Sequence, residues 1–364
     1  MPLFLSFPLL CGGAERWKMQ FYYNKDQSIL DLRDLQCPSA QRCIAAGVIV
    51  EKNDHEKGLI LVTSDGGKQW TSEDFRDRPV SMFFLNESVG WIAAEHGVWE
   101  TDESGRTWKK VEGLKKGIQR IFFVNRSHGY AIGFPNALYE TTDGGKTWPK
   151  MAVTSDVTLA KSEAISYDCI DFLGDYGLIM GSVIGPEADR LPAWMDPLQG
   201  ARRRERKSIV LGLETLDGGK TWKSIRASAY GILAEMKLAK DGFALVLFQY
   251  KESYSVPSDV VKLKVGLKPA GSVFSERDRA VTDFLMLPGG ETVVAAVETP
   301  GNSNQVPIPG KLKMLRSKNL KVWVEMDADY RAVAQRAVLA AADAHHIWVA
   351  TDTGMILNLV ETEN

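Results

Sequence analysis

One octapeptide is spelled four times along this chain. "TSDGGKQW" (Thr63–Trp70) returns as "TDESGRTW" (Thr101–Trp108), "TTDGGKTW" (Thr141–Trp148) and "TLDGGKTW" (Thr215–Trp222), and a worn copy, "SKNLKVW", stands at Ser317–Trp323. The acidic positions Asp65, Glu103 and Asp143 recur at about 40 residues, the length of one four-stranded propeller unit. Asp217 follows after nearly two such intervals. A chain with this period is built from supersecondary units that cannot bury their apolar faces alone and must stack on one another.

The spelling has a physical cause. Each acidic side chain is placed to accept hydrogen bonds from the backbone N–H groups of its own turn. Gly67, Gly105, Gly145 and Gly219 supply a backbone angle closed to other residues. Thr63 and its equivalents lead out of one strand. Trp70, Trp108, Trp148 and Trp222 open the next, where an indole ring can bury between neighbouring units. The octapeptide therefore reads as a hairpin turn with a packing anchor, a structural fastener rather than a catalytic aspartate. A calcium site would need a ligand-rich loop that this motif lacks.

The residues between boxes read as short strands. The second unit runs "PVSMFFL", "GWIAAE", "GVWETDE", "TWKKVE"; the third runs "IQRIFFV", "GYAIG", "ALYETTD", "TWPKM". The fourth, fifth and sixth are worn but follow the same order. The last, "AVLAAADAHHIWVATDTGMILNLV", has three strands, and "RWKMQFYYN" (Arg16–Asn24) near the start is an orphan. We expect that orphan to supply the missing outer strand and close the ring. The predicted fold is all-β, a seven-bladed β-propeller over residues 15–364 with an insertion at 185–207 in the fourth blade.

The pattern S/T-x-D-x-G-x-T-W is the Asp-box, and the chain resembles the Asp-box (BNR-repeat) β-propellers. The four boxes carry the resemblance from about Leu32 to Trp222, and the run before each box looks most like the photosystem II stability/assembly-factor-like propellers. That family binds the precursor of an integral membrane protein and helps to build a complex, so the resemblance implies a non-enzymatic protein that binds a protein or peptide. Asp-boxes also occur in sialidases and in polysaccharide-degrading propellers, so a glycoside hydrolase is the alternative. No Arg-Ile-Pro of the sialidase kind is present. The two-propeller enzymes need more chain than one ring uses. A carboxylate pair for hydrolysis would come from Asp34, Asp168 or Asp283.

Composition excludes several other classes. With 44 Lys+Arg against 46 Asp+Glu the net charge is -2, and no basic field gathers nucleic acid or an anionic membrane. No apolar run reaches a membrane span, and no phosphate loop or nucleophile elbow appears. His345 and His346 lack a third ligand, so neither metal nor cofactor is expected. A monomer with a protein or peptide partner, carbohydrate being the other ligand class, is the expectation. The first 14 residues, "MPLFLSFPLLCGGA", resemble the later part of a secretory signal, with Gly12 and Ala14 at the small positions before cleavage. A lipidated Cys11 is disfavoured by the large Leu10 before it. Cys37 and Cys43 would be able to form a small disulfide in an exported chain.

Function is expected on the face opposite the boxes, here called the top, where first strands begin. The connections Gly185–Lys207, Lys251–Asp259 and Thr299–Lys311 are long there, and long loops on a rigid scaffold are where binding is commonly placed. The first carries Trp194 and the basic run Arg202, Arg203, Arg204 and Arg206, suited to an acidic peptide or a C-terminal carboxylate. The second carries Tyr254. Asp34, Arg120, Asp168, Glu235, Asp283 and Arg336 lie near the beginnings of first strands and are candidates to line the channel mouth.

Overall fold

The computed structural model describes residues 15–361 apart from 26, 115, 152–163, 185–207, 251–255 and 299–308. The described residues form strands and turns and no helix. Seven strands are first in their units: Ser28–Gln36, Pro79–Phe84, Ile118–Phe123, Ala164–Leu173, Ile232–Ala239, Arg279–Met286 and Ala337–Ala341. Each touches the next, and the last returns to the first, so they surround a central channel. From each, the sheet grows outward in antiparallel order, as in Ser28–Gln36, Cys43–Glu51, Glu56–Thr63 and Thr71–Phe75. The architecture is an all-β propeller.

Second strands are apolar on both faces because units stack face to face. Gly90–Ala94, Gly129–Gly133 and Ile347–Thr351 are buried throughout. Their second residues, Trp91, Tyr130 and Trp348, are all 0% exposed. Trp91 stacks on Phe123 of the next unit at 3.7 Å, and Tyr130 stacks on Phe172 of the next at 5.4 Å. The box tryptophans complete these joints. Trp222 meets Tyr130 and Phe172 edge-on, and Trp108 meets Phe75 of the preceding unit.

Two features depart from the expected pattern. In the third unit the fourth strand is, among the described residues, a single bridge, Tyr139 to Lys150. Pro149 sits within it, lacks an N–H and fixes its own φ, so the ladder cannot propagate. Ring closure is also more extensive than expected. Glu15–Tyr22 runs antiparallel to Met355–Glu361 as the outer strand of the last unit, and Arg16 and Trp17 lie parallel to Asp327 and Ala328 of the sixth. The last two units thus merge into a single sheet.

Three of the box turns hold one shared geometry. In the second box Glu103 accepts from the Thr107 hydroxyl and Thr101 Oγ1 accepts from the Gly105 N–H, so the expected bonds from the turn's backbone to the acidic side chain are those of Asp65, Asp143 and Asp217. In the first, Thr63 Oγ1 donates to Asp65 Oδ1 at 2.8 Å and accepts from the Gly67 N–H at 3.0 Å, while the Gln69 N–H reaches Asp65 at 3.0 Å. Asp143 and Asp217 add a hydroxyl, from Thr147 and Thr221, at 2.6 Å. Those donors, the threonine hydroxyl foremost, hold both carboxyls at about 2, below the ordinary 3.8. A carboxyl depressed in the folded state contributes stability that is present above its unfolded pKa of about 3.9 and lost as pH falls through the folded value. The melting temperature should therefore fall between about pH 4 and about pH 2 more steeply than that of a doubly substituted Asp143→Asn, Asp217→Asn protein. Parallel curves in a pH series of thermal melts would show that the boxes do not sense protonation.

Cys37 and Cys43 are disulfide-bonded across the turn between the first two strands, and Cys169 is free and buried. Among the described residues no helix is long and apolar enough to cross a membrane.

Candidate functional site

First strands do not run in simple alternation. Their pairing slips by one residue within the strand in six of the seven, between Leu32 and Asp34, Pro79 and Ser81, Ile118 and Arg120, Tyr167 and Cys169, Leu233 and Glu235, and Val281 and Asp283. A bulge bends the strand and re-aims the side chains beside it. Here it delivers Asp34, Ser81, Arg120, Glu235 and Asp283 to one cavity of about 790 Å3; in the fourth unit the extra residue, Asp168, is delivered itself. Arg336, on the approach to the last first strand, completes the set. All six channel residues anticipated from the sequence share this cavity.

Charge within it is arranged in pairs and struts. Arg120 meets Glu235 at 3.0 Å, and Lys237 lies 3.4 Å from the other Glu235 oxygen. Burial pushes the Glu235 carboxyl up, but Arg120 and then Lys237 outweigh it and hold the group at about 2. The Glu235 charge in turn raises Arg120 and Lys237 above their usual ranges. Arg336 bonds Asp31 at 2.6 Å and the Leu32 and Arg33 carbonyls, tying the last first strand to the first.

Three carboxylates act as struts between units. Asp34 accepts from the N–H of Leu35 at 2.7 Å and of Met82, in the next first strand, at 2.5 Å. Asp171 does the same with Phe172 and Leu238, and Asp283 with Phe284 and Leu339. Burial raises all three from the carboxylate range against these bonds; Asp283, which also faces the Glu235 charge, reaches about 7. Asp168 is raised by burial and accepts from the Ser166 and Ser182 hydroxyls. Two of the three hydrolase candidates, Asp34 and Asp283, thus have both oxygens engaged in holding adjacent strands. Among the described residues no group of three His, Cys, Asp or Glu side chains is set to hold a metal ion.

The top rim is apolar in places. Ile29, Val80 and Ile232 begin first strands, Phe134 ends a second, and Tyr22, Tyr230 and Tyr330 end or follow fourth strands, which places all seven on the top; each is exposed, Tyr330 to 80%. Other exposed apolar residues, such as Leu216 and Val265, sit in turns of the box face. Trp194, Arg202, Arg203, Arg204, Arg206 and Tyr254 lie outside the described residues. Their connections leave from and return to the top, after Ile184 and before Ser208 in the fourth unit. Sequence reasoning passed over Asp31, Arg33, Asp171 and Lys237. The bulges break the alternation that would have marked them, and only their nearness to the anticipated residues signals them.

Comparison with known proteins agrees with this architecture. A family model described as photosynthesis system II assembly factor YCF48 matches residues 113–184. The chloroplastic photosystem II stability/assembly factor HCF136 of Guillardia theta is 27% identical over 104 residues, 22% of this chain and 26% of the relative. The photosystem II assembly lipoprotein Ycf48 of Trichormus variabilis is 28% identical over 144 residues, 35% of this chain and 41% of the relative. The matched segments therefore span less than half of either curated relative. A solved structure of YCF48 bound to D1 peptide superposes with a TM-score of 0.60 at 14% identity, covering 95% of this chain and 96% of that one. YCF48 from Cyanidioschyzon merolae gives 0.56 at 13%, covering 94% and 98%. The chain is similar to the photosystem II assembly-factor propellers in sequence motifs, and to these structures in fold.

Proposed function

We propose that this protein is an exported, non-enzymatic propeller that binds a protein or peptide segment on its top face, as an assembly factor does. The observation that carries this is the asymmetry of the two faces. The top holds the mouth of the charged cavity, seven of the twelve exposed large apolar side chains of the described residues and the ends of the three long connections, while the box side carries the turns and the other five. Aromatic anchors beside a polar pocket are how peptide surfaces gain affinity. A neighbour of the same fold has been solved with a peptide bound. Within this proposal the insertion 185–207 contributes Trp194 and the arginines at 202, 203, 204 and 206 as an anion-binding arm, and Tyr254 an aromatic contact.

Export is supported by the Cys37–Cys43 disulfide, since such bonds persist in oxidising compartments, and by the description of a relative as a lipoprotein. The non-enzymatic part is supported by the strut role of Asp34 and Asp283: a hydrolytic pair needs one carboxylate free to meet water or sugar.

A capture experiment from detergent-solubilised native membrane tests the face. Tyr330→Asp, Ile29→Asp and deletion of 185–207 should each reduce recovery of the partner several-fold, while Leu216→Asp on the box face leaves it unchanged. Loss of the partner in the Leu216 variant with retention in the other three would assign binding to the wrong face.

A further inference from the structure

The box-bearing face has a cleft of its own, about 240 Å3, wedged between the first and second box turns. Two arginines enter it from different units: Arg42 from the disulfide-closed turn of the first, and Arg106 from the second box. Arg42 donates through one terminal nitrogen to the Ser104 carbonyl, which fixes the guanidinium against the neighbouring turn. Its Nε–H is sealed from solvent and meets no acceptor. Burial first, and the like charge of Arg106 second, hold the Arg42 guanidinium below its usual pKa. Among the described residues neither arginine forms an ion pair.

The two carboxylates of the cleft form no ion pair with these arginines among the described residues. Asp65 and Glu73 line the same cleft. Asp65 has its Oδ1 taken by the Thr63 hydroxyl and the Gln69 N–H, and the acidic charge that acts on Arg42 is that of Glu87, outside the cleft lining. Two guanidinium groups brought to one cleft repel each other unless an anion lies between them. A guanidinium presents its donors as a planar fork that matches phosphate and carboxylate oxygens. The cleft is also large enough to hold a tetrahedral ion with part of its water.

We propose that the cleft between the first two boxes binds a doubly charged oxyanion of the phosphate or sulfate class, clamped between Arg42 and Arg106. The site is independent of the top-face function. Its ligand is either the free ion or a monoester carried on a larger molecule, and the two sources share the same recognition chemistry.

Isothermal titration with sodium phosphate, sodium sulfate and phenyl phosphate, at ionic strength held constant with sodium chloride, tests it. The wild-type protein should bind phosphate or sulfate saturably. Arg106→Gln, an exposed substitution that leaves the fold intact, should weaken binding by about tenfold or more, the cost of a lost charge-assisted contact. Arg42→Gln should do the same, and Lys109→Gln should change nothing. Phenyl phosphate binding as well as phosphate would identify a monoester site, and exclusion of phenyl phosphate a free-ion site. Absence of saturable binding, or an Arg106→Gln protein that binds within about twofold of wild type, would overturn the proposal.

Discussion

Gly219→Ala will destabilise the fold by about 3–5 kcal/mol, more than any other single-methyl change in a box turn. Gly219 has a φ of +92°, and a Cβ placed there would lie 2.1 Å from the Tyr130 hydroxyl oxygen and 3.2 Å from the His128 ring. Tyr130 has nowhere to retreat. It is fully buried, its ring is stacked on Phe172 and met edge-on by Trp222, and its hydroxyl bonds His128 at 2.9 Å and Glu140 at 3.2 Å. The added methyl must therefore push apart the third and fourth units or break that hydrogen-bonded group. Gly242→Ala isolates the backbone contribution. It has a φ of +76° with nothing within 4 Å of the new carbon, so it should cost only about 1 kcal/mol. Urea unfolding of both variants gives the joint by difference. Combining Gly219→Ala with Tyr130→Phe, which removes the clashing oxygen, should recover part of the loss as a coupling term. Equal losses for Gly219→Ala and Gly242→Ala would mean that the box glycine serves only its own turn.

That joint also shows what was legible in the sequence. The box is a local device: a hydroxyl, a carboxylate and a glycine within five residues satisfy one another, so their spelling alone specifies the turn and, by repetition, the ring. The channel residues were legible as a set because Asp34, Arg120, Asp168, Glu235, Asp283 and Arg336 all belong to first strands or directly precede one; the structure sets Asp34, Asp168 and Asp283 further along their strands than the expected beginnings. Their partners were not. Arg120 and Glu235 are 115 residues apart and Arg336 and Asp31 are 305 apart, and no local pattern links such pairs until the ring closes. The bulges hid a further layer. A one-residue slip reverses which of two neighbouring side chains faces inward, so Arg33, Asp171 and Lys237 could not be assigned to the channel by counting alternate positions. The shortened strand at Pro149 was visible as a proline within "TWPKM", and its chemistry is enough to explain the missing ladder.

The seam was foreseen as the last unit's outer strand but not in its hold on the sixth unit, and Trp17→Ala measures it. Trp17 is 0% exposed and belongs to a core drawn from two units, with Leu285, Val293, Met314 and Met326 from the sixth and Ile347, Leu357 and Leu359 from the seventh. It pairs with Leu359 on one side and Ala328 on the other. Next to it Arg316 of the sixth unit holds Glu15 at 2.8 Å. One strand thus completes the last blade and fastens it to the blade before. Removing the indole deletes a large buried surface shared by both and should cost about 3–5 kcal/mol. Tyr22→Ala, at the other end of the strand where the side chain is 53% exposed, should stay within about 0.5 kcal/mol. The two losses also differ in where they act. With Trp17 gone, amide exchange should accelerate first in Val324–Ala328 and Met355–Glu361, the two strands that flank the seam, because opening there frees strand edges without disturbing the central ring. The first strands touch in their own unbroken cycle, and this supplies the competing possibility. If Trp17→Ala costs less than about 1 kcal/mol and exchange rises evenly through the molecule, then closure resides in the inner ring and the shared strand only trims its edge.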